Sequence, residues 1–400
     1  MSNPSAGWPH FTDEEATAVK DVILSNKVNY WTGSECREFE KEFAAWVGTR
    51  YAVSLSNGTL ALDCALRALG IGPGDEVVVT PRTFLASASC IVNAGAVPVF
   101  ADVDRDSQNI TAANIAAVLT PRTRAVICVH LAGWPCDMDP IMALAEGHAL
   151  YVIEDCAQAH GARYKGRMVG SIGHIGAWSF CQDKIMTTGG EGGMVTTNHR
   201  NWWQAMWSYK DHGKSWEAMY ERQHPPGYRW VHESFGTNWR MLEVQAAIGR
   251  VQLRRMPVWS AQRRANAARL AAACSVIHAL RVPVAPAEVE HAYYKFYAFV
   301  DPARLAPGWS RDRIMEEISA RGVSCTQGSC SEIYLEKAFD GTGLRPRRRL
   351  PVAQELGETS LMFLVHPTLG EAELALACRV IGEVFARAQL PAGVAADLPG

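Results

Sequence analysis

The sequence LYVIEDCAQAHG, residues 150–161, joins a short apolar run to an acidic pair and then to small and polar residues. Residues 150–153 have the length and composition of a buried β-strand. Asp155 comes at the carboxyl end of this run, which is where ligands gather in parallel sheets. The stretch therefore predicts a parallel sheet with a ligand site beside Asp155.

Strand-like and helical segments alternate on the amino-terminal side of this stretch. Strands are expected at residues 51–55, 76–80, 97–103, 124–130 and 149–153, and helices at 13–24, 36–46, 61–69, 85–94, 112–119 and 139–146. Such alternation is typical of a mostly parallel sheet that is covered by helices on both faces.

The pattern changes after residue 200. Residues 201–239 are rich in aromatic and charged side chains and contain Pro225-Pro226-Gly227, so we expect an irregular segment there. Helices are expected at 241–255 and 258–273, and a second unit starts near Val276 with a strand at 294–300 and helices at 311–321 and 374–388. We therefore expect two domains: a large α/β domain with amino-terminal helices in residues 1–255, and a linking helix with a smaller α+β domain in residues 256–400.

The composition argues against several classes of protein. The 400 residues carry a formal net charge of −2, so neither nucleic acid nor an anionic membrane is an expected partner. The apolar runs are too short to span a bilayer, and no signal-peptide pattern is visible at the amino terminus. The eleven cysteines are scattered, which indicates reduced thiols and a cytoplasmic protein. Cys325 and Cys330 lack histidine partners, so we expect no metal site.

Lys184 follows Asp155 by 29 positions, and the pair fits the chemistry of a pyridoxal phosphate (PLP) site. An acid keeps the pyridine nitrogen of PLP protonated, and a lysine amine holds its aldehyde as a Schiff base. Taken singly, Asp155 is better explained as a helix cap and Lys184 as a surface lysine. Together they favour the PLP interpretation. Ser179 lies within reach of a phosphate, and Gln158 lies one helical turn from Asp155, in position to contact the ring hydroxyl.

Ser56-Asn57-Gly58-Thr59 precedes a helical segment, so its amides and the Thr59 hydroxyl would point at an anion. An ordinary helix cap explains the same residues. Phe84 could stack on an aromatic ring, although core packing is the more common role of such a residue.

These motifs closely resemble the DegT/DnrJ/EryC1/StrS aminotransferases, the sugar aminotransferases of PLP fold type I. The resemblance covers roughly residues 10 to 387 and rests on several segments in fixed order. The segments are residues 39–43, 56–59, 72–77, 83–84, 154–161, 179–180 with Lys184, 192–193 and 237–241.

The resemblance implies a role for each matched position. Lys184 would form the Schiff base and Asp155 would contact the pyridine nitrogen, while Gln158 would contact the ring hydroxyl and Phe84 would stack on the ring. The phosphate would be held by Gly58, Thr59 and Ser179. Asn238 would reach the phosphate of the neighbouring subunit's cofactor, which implies a homodimer with shared active sites.

Some positions depart from the family pattern. Arg82 stands where a small or apolar residue is usual, and it could meet a substrate carboxylate or phosphate. His160 is a candidate for lining the substrate pocket, and a structural histidine is an equal alternative. Residues 328–334 differ from the usual loop that contains His and Pro.

The expected activity is transfer of an amino group from L-glutamate to a nucleotide-linked keto-sugar, with pyridoxamine phosphate as the intermediate cofactor form. A transaminase of a keto-cyclitol or an acidic keto-sugar without a nucleotide is the alternative. A sugar dehydratase of the same superfamily is disfavoured, because a histidine replaces the lysine there. A non-catalytic PLP-binding regulator is a remote alternative.

Overall fold

The computed structural model describes residues 7–223, 226–227 and 229–391. The outer ends of both expected domains, and Pro225 of the segment expected to be irregular, therefore lie outside the described residues. The described residues of the amino-terminal half form nine strands: β1 (Tyr51–Leu55), β2 (Glu76–Val79), β3 (Val97–Phe100), β4 (Thr123–Val129), β5 (Tyr151–Asp155), β6 (Arg163–Tyr164), β7 (Arg167–Met168), β8 (Ile175–Ser179) and β9 (Gly193–Thr197).

Seven of these strands form one sheet, in the order β1-β9-β8-β5-β4-β2-β3. β9 runs antiparallel to both of its neighbours, and the other neighbouring pairs are parallel. The expected mostly parallel sheet is thus confirmed. Asp155 ends β5, a central strand that pairs with β4 and β8, so its side chain lies at the middle of the carboxyl edge.

Helices cover both faces of this sheet. They are α1 (Asp13–Leu24), α2 (Glu35–Val47), α3 (Gly58–Ala68), α4 (Ala86–Asn93), α5 (Ala112–Ala116), α6 (Met138–Gly147), α7 (Arg200–Tyr209) and α8 (Trp216–Tyr220). Because side chains alternate along a strand, Val77 and Ile153 pack with α3 and α4 on one face, while Val78 and Val152 pack with α6 on the other.

The region 201–239, expected to be irregular, is helical in part. α7 and α8 occupy it because Met206 and Trp207 are buried against β-sheet residues and α3, with Trp203 and Trp216 packed beside them. Three of the aromatic residues that suggested an irregular segment, Trp203, Trp207 and Trp216, are therefore the core-facing side of these helices.

The two helices expected at 241–255 and 258–273 are one helix, α9 (Glu243–Ser275), with Pro257 inside it. An interior proline costs about 3 kcal/mol because it removes a backbone hydrogen bond. Burial of α9 residues such as Met256, Trp259 and Leu270 offsets this cost, since α9 packs on α1, α2 and α12.

The carboxyl-terminal unit has its own core. Its elements are β10 (Leu280–Arg281), β11 (Val289–Glu290), β12 (Phe296–Val300), α10 (Arg311–Ser319), β13 (Cys325–Thr326), α11 (Pro351–Thr359), β14 (Ser360–Phe363) and α12 (Glu371–Ala388). An antiparallel sheet, β10-β12-β14-β13, packs against α10 and α12, and β11 joins β6 and β7 in a small third sheet. The two cores meet along α9 between Trp259 and Ala267. The expected boundary after residue 255 falls about one turn earlier, and the division itself stays a prediction.

Among the described helices, none combines the length and the apolar character needed to cross a bilayer.

Candidate active site

A cavity of about 530 Å³ opens at the carboxyl edge of the large sheet. It brings together seven of the residues singled out from the sequence, namely Gly58, Thr59, Phe84, Asp155, Gln158, Ser179 and Lys184. These residues come from α3, β5, β8 and the connections between them. We call this space the cofactor cavity.

Asp155 is buried at the floor of the cofactor cavity. Its Oδ2 accepts a hydrogen bond of 2.8 Å from the Ser87 hydroxyl, and its Oδ1 accepts one of 3.1 Å from the Ala157 amide. Burial raises the pKa of Asp155, because a charged carboxylate is poorly solvated there. A cation placed beside it, such as a protonated pyridine nitrogen, would balance the negative charge of the buried carboxylate.

Glu154 lies on the opposite face of β5 and supports this strand end. Its carboxylate accepts backbone amides from Gly170, Ile172 and Gly173. His130 Nδ1 accepts the amide of Cys136, so Nε2 carries the proton and donates to Glu154 at 3.0 Å. Burial opposes ionisation of Glu154, but the hydrogen bonds from His130 and the amides leave its pKa lowered. This buried network holds Asp155 in place from behind.

The start of α3 and the end of β8 form a cradle for an anion. Asn57 caps the helix by accepting the Leu60 amide at 3.0 Å. A Cβ on Gly58 would lie 2.5 Å from the Cβ of Ser179, so only glycine allows this close approach. The approach places the amino terminus of α3 beside Ser179, and such a terminus attracts phosphate.

Lys184 enters the cavity from the connection between β8 and β9, with a side chain that is 16% exposed. Its Nζ lies 3.9 Å from Asp183 Oδ1 and 5.1 Å from the ring centroid of Tyr294. The Tyr294 hydroxyl donates to Asp183. The indole N–H of Trp8 donates to the Lys184 carbonyl at 2.7 Å and fixes the backbone at this point.

Gln158 and Phe84 lie on the remaining sides of the cavity. The Gln158 Oε1 accepts the Ala132 amide at 2.8 Å, which holds the side-chain amide in one orientation. Phe84 is 70% exposed, which is unusual for a large apolar side chain and leaves its ring face available for stacking.

Arg82 lies outside the cofactor cavity. The side chain is fully buried, its Nε donates to Gln108 at 2.9 Å, and its guanidinium lies 5.5 Å from the ring centroid of Tyr297. Direct contact with a substrate acid group would require movement of the side chains that bury Arg82, such as Tyr297. The structure therefore does not place Arg82 in the site, contrary to expectation.

His160 does not line the cofactor cavity either. Its ring is fully buried and packs on Trp178 and Phe180, with centroid distances of 5.2 and 5.6 Å. Burial lowers the pKa of His160 to about 3, so the ring is neutral. Of the two alternatives drawn from the sequence, the position favours the structural one.

Asn238 also lies away from the cofactor cavity of its own chain. It is exposed, and its backbone forms an isolated bridge with Asp211.

Sequence reasoning missed several residues that shape the site. Ser87, Asp183 and Glu191 line the cofactor cavity, and Tyr294 adjoins Lys184. Ser87 lies one turn after Thr83 in the sequence, a helical spacing that could have suggested a shared direction. No sequence signal connects Tyr294 with Asp183.

The donor set fits PLP. A buried carboxylate faces the same space as a lysine amine, a helix amino terminus and an exposed aromatic ring. The carboxylate matches the pyridine nitrogen of the cofactor, and the lysine amine matches its aldehyde. The helix amino terminus matches the phosphate, and the aromatic side chain matches the face of the pyridine ring.

Comparison with known proteins agrees with this geometry. The family model described as the DegT/DnrJ/EryC1/StrS aminotransferase family matches residues 9–383. UDP-N-acetyl-3-dehydro-alpha-D-glucosamine 3-aminotransferase of Acidithiobacillus ferrooxidans is 36% identical over 381 residues, 95% of this chain and 96% of that protein.

Two solved structures show the same fold. An aminotransferase from Psychrobacter cryohalolentis is 65% identical and superposes with a TM-score of 0.94, covering 96% of this chain and 99% of that one. A Streptococcus pneumoniae protein described as a sugar aminotransferase, solved in its PLP form, is 25% identical with a TM-score of 0.85, covering 96% of this chain and 99% of that one.

Proposed function

This chain belongs to the DegT/DnrJ/EryC1/StrS family of PLP-dependent sugar aminotransferases, and from that premise we propose that it moves an amino group from L-glutamate to a nucleotide-linked keto-sugar, with Lys184 as the residue that holds the cofactor. One observation carries the proposal. A single cavity holds the Lys184 amine, the buried Asp155 and the amino terminus of α3.

The residues divide the chemistry among themselves. When bound, PLP supplies an aldehyde that takes up the amino group and a ring that accepts electrons. Asp155 would keep the ring nitrogen protonated, and its burial would strengthen that charge–charge contact. Lys184 would hold the aldehyde, and its free Nζ would take a proton from the donor carbon and deliver it to the cofactor. The same amine moves a proton in the reverse direction when the keto-sugar is bound.

Space for a substrate larger than an amino acid adjoins Lys184. A cavity of about 580 Å³ shares Phe84, Gln158 and Lys184 with the cofactor cavity and extends to Ser329 and Cys330. The A. ferrooxidans relative acts, by its name, on a UDP-linked keto-sugar. Both facts support a nucleotide-linked acceptor over a small keto acid.

A homodimer with shared sites is part of the proposal. Large apolar side chains stand exposed close in sequence to Asn238, with Phe235 97% and Trp230 81% exposed. Exposed aromatic groups of this kind mark protein–protein contact surfaces. The family resemblance assigns Asn238 to the phosphate of the neighbouring subunit's cofactor, and a second protomer that docks on this surface is the arrangement that we propose for that role.

The test offers the PLP-loaded protein L-glutamate and a panel of keto-sugars, each with and without its nucleotide, and identifies products by mass and NMR. We expect an amino-sugar nucleotide and 2-oxoglutarate in equal amounts. Preferential amination of nucleotide-free keto-cyclitols or acidic keto-sugars would replace the proposed acceptor. Lys184→Ala should bind the cofactor without turning over, and exposed Lys337→Ala serves as the matched control.

A further inference from the structure

A second cavity, of about 420 Å³, adjoins the catalytic lysine on the side of the carboxyl-terminal unit. We call it the Arg263 cavity, and six of its lining residues define it: Trp8, Asp183, Arg263, Tyr294, Lys295 and His366. Asp183 also lines the cofactor cavity. Tyr294 and Lys295 also line the space beside Lys184 that extends to Ser329. The Arg263 cavity is therefore a neighbour of the reaction site and distinct from the cradle for phosphate.

Arg263 brings a poorly compensated positive charge to this cavity. The side chain is 1% exposed, and its guanidinium lies 4.8 Å from the ring centroid of Trp8. Nη1 makes long hydrogen bonds of 3.4 Å to the carbonyls of Tyr293 and Tyr294. Nε and Nη2 have no hydrogen-bond partner within the described part of the chain. Burial lowers the pKa of Arg263 to about 9, which still leaves the group charged at neutral pH. A buried charge normally has a partner, because desolvation without one is costly.

The acidic residues at the cavity do not supply that partner. Asp183 accepts the Tyr294 hydroxyl and faces Lys184. Glu373 accepts the amide of Gly370 at the start of α12. Lys295 adds a second cation, so two cations and two carboxylates line the Arg263 cavity, but neither carboxylate is hydrogen-bonded to Arg263.

We propose that the Arg263 cavity binds a carboxylate of the amino donor. The inference rests on the proposed function for the identity of that donor. A guanidinium with two unused donor nitrogens fits the two oxygens of a carboxylate. Lys295 lines both the Arg263 cavity and the 580 Å³ cavity beside Lys184, so a dicarboxylate that extends from one towards the other would meet cations along its length. The amine of the donor would then face Lys184.

The binding experiment uses the PLP-loaded protein and glutarate, which has both carboxylates of the donor and no amine to react. Titration calorimetry should show binding to the unchanged protein. In Arg263→Met the dissociation constant should rise about 10- to 100-fold, the usual loss for a charge-assisted hydrogen bond. Lys295→Met, a substitution at a half-buried position, should also weaken binding. Arg264→Met is the matched control, because Arg264 follows on the same helix and lines a different cavity, and its binding should be unchanged.

The second part of the experiment asks whether the Arg263 cavity binds the amino donor or an unrelated regulatory carboxylic acid. Glutarate should compete with L-glutamate when amino transfer to the cofactor is followed by its absorbance in a single turnover. Absence of glutarate binding, or equal weakening in Arg263→Met and Arg264→Met, would overturn the proposal. Binding that depends on Arg263 but does not compete with L-glutamate would overturn the donor assignment. The protein could bind glutarate through Arg263 and yet take an amino group only from a donor other than L-glutamate. That result would support the carboxylate site and overturn L-glutamate as the proposed donor.

Discussion

The hydroxyl of Ser87 donates a 2.8 Å hydrogen bond to Oδ2 of Asp155, and the Thr83 hydroxyl lies 2.9 Å from the same Ser87 oxygen. Since Ser87 uses its proton on Asp155, Thr83 is the donor to Ser87. Burial raises the pKa of Asp155, and the hydrogen bond from Ser87 opposes that rise by stabilising the charged carboxylate. Asp155 thereby stays available as the anionic partner of a pyridine nitrogen.

Removing the Ser87 hydroxyl should weaken cofactor binding. In Ser87→Ala the pKa of Asp155 rises further, because a hydrogen bond to its charged form is lost. A hydrogen bond to a charged group contributes about 1.5–3 kcal/mol, so PLP affinity should fall about 10- to 100-fold by fluorescence titration. Ser89→Ala on the same helix is the control. Equal affinity in both variants would mean that Ser87 does not support the site.

A side chain at position 58 should close the phosphate cradle. Gly58→Ala places a Cβ 2.5 Å from that of Ser179, so the start of α3 and the end of β8 must move apart. We expect at least a roughly 10-fold loss of affinity for PLP, since phosphate contacts at helix termini depend on close backbone approach. In Gly72→Ala the added Cβ has only Ala94 O nearby, at 3.8 Å, and binding should be unaffected. Unchanged PLP affinity in Gly58→Ala would place the phosphate elsewhere.

The neutral His160 should make the fold sensitive to acid. Its folded pKa, about 3, lies below the ordinary value of 6.5, so the unfolded chain binds a proton more readily. The contribution of the neutral His160 ring to the free energy of unfolding is therefore fully present above about pH 6.5 and is lost as the pH falls towards 3. The loss is about 2 kcal/mol between pH 6.5 and 5. His160→Leu should show a smaller drop in melting temperature over that range than the unchanged protein. The exposed His148→Leu serves as the control. If the melting temperature of His160→Leu falls as much as that of His148→Leu over this pH range, the acid sensitivity belongs to other groups.

Mixed dimers test the shared site. Alone, Lys184→Ala should be inactive and Asn238→Ala weakly active, because every site in each of these dimers lacks one residue. If Asn238 serves the neighbouring subunit, a mixed dimer contains one intact site and one with both defects. Unfolding and refolding the two variants together should then restore about a quarter of the native activity, as random pairing into dimers requires. Mixing that restores no activity would confine Asn238 to its own subunit.

The sequence predicted the parts of the site that local pattern controls. Asp155 could be placed because an apolar strand precedes it, and Gly58 because a capped helix follows it. Contacts between distant segments were not predictable in this way. Tyr294 meets Asp183 across 111 positions, and Arg263 meets Trp8 only because α9 continues through Pro257.

The substrate-binding candidates show the same limit. Arg82 and His160 were chosen for their chemistry and for unusual sequence context. Burial decides their placement, and burial depends on Tyr297, Trp178 and Phe180, which come from other parts of the chain.

The identity of the lysine that carries PLP is the central claim, and reduction with borohydride tests it most directly. Lys295 is the rival, since burial lowers the pKa of its amine to about 8 and it lines the same space as Lys184. Reduction of the PLP-loaded protein followed by peptide mass spectrometry should find the pyridoxyl group on the peptide that contains Lys184 and on no other. A pyridoxyl group on Lys295, or on any lysine other than Lys184, would contradict the account.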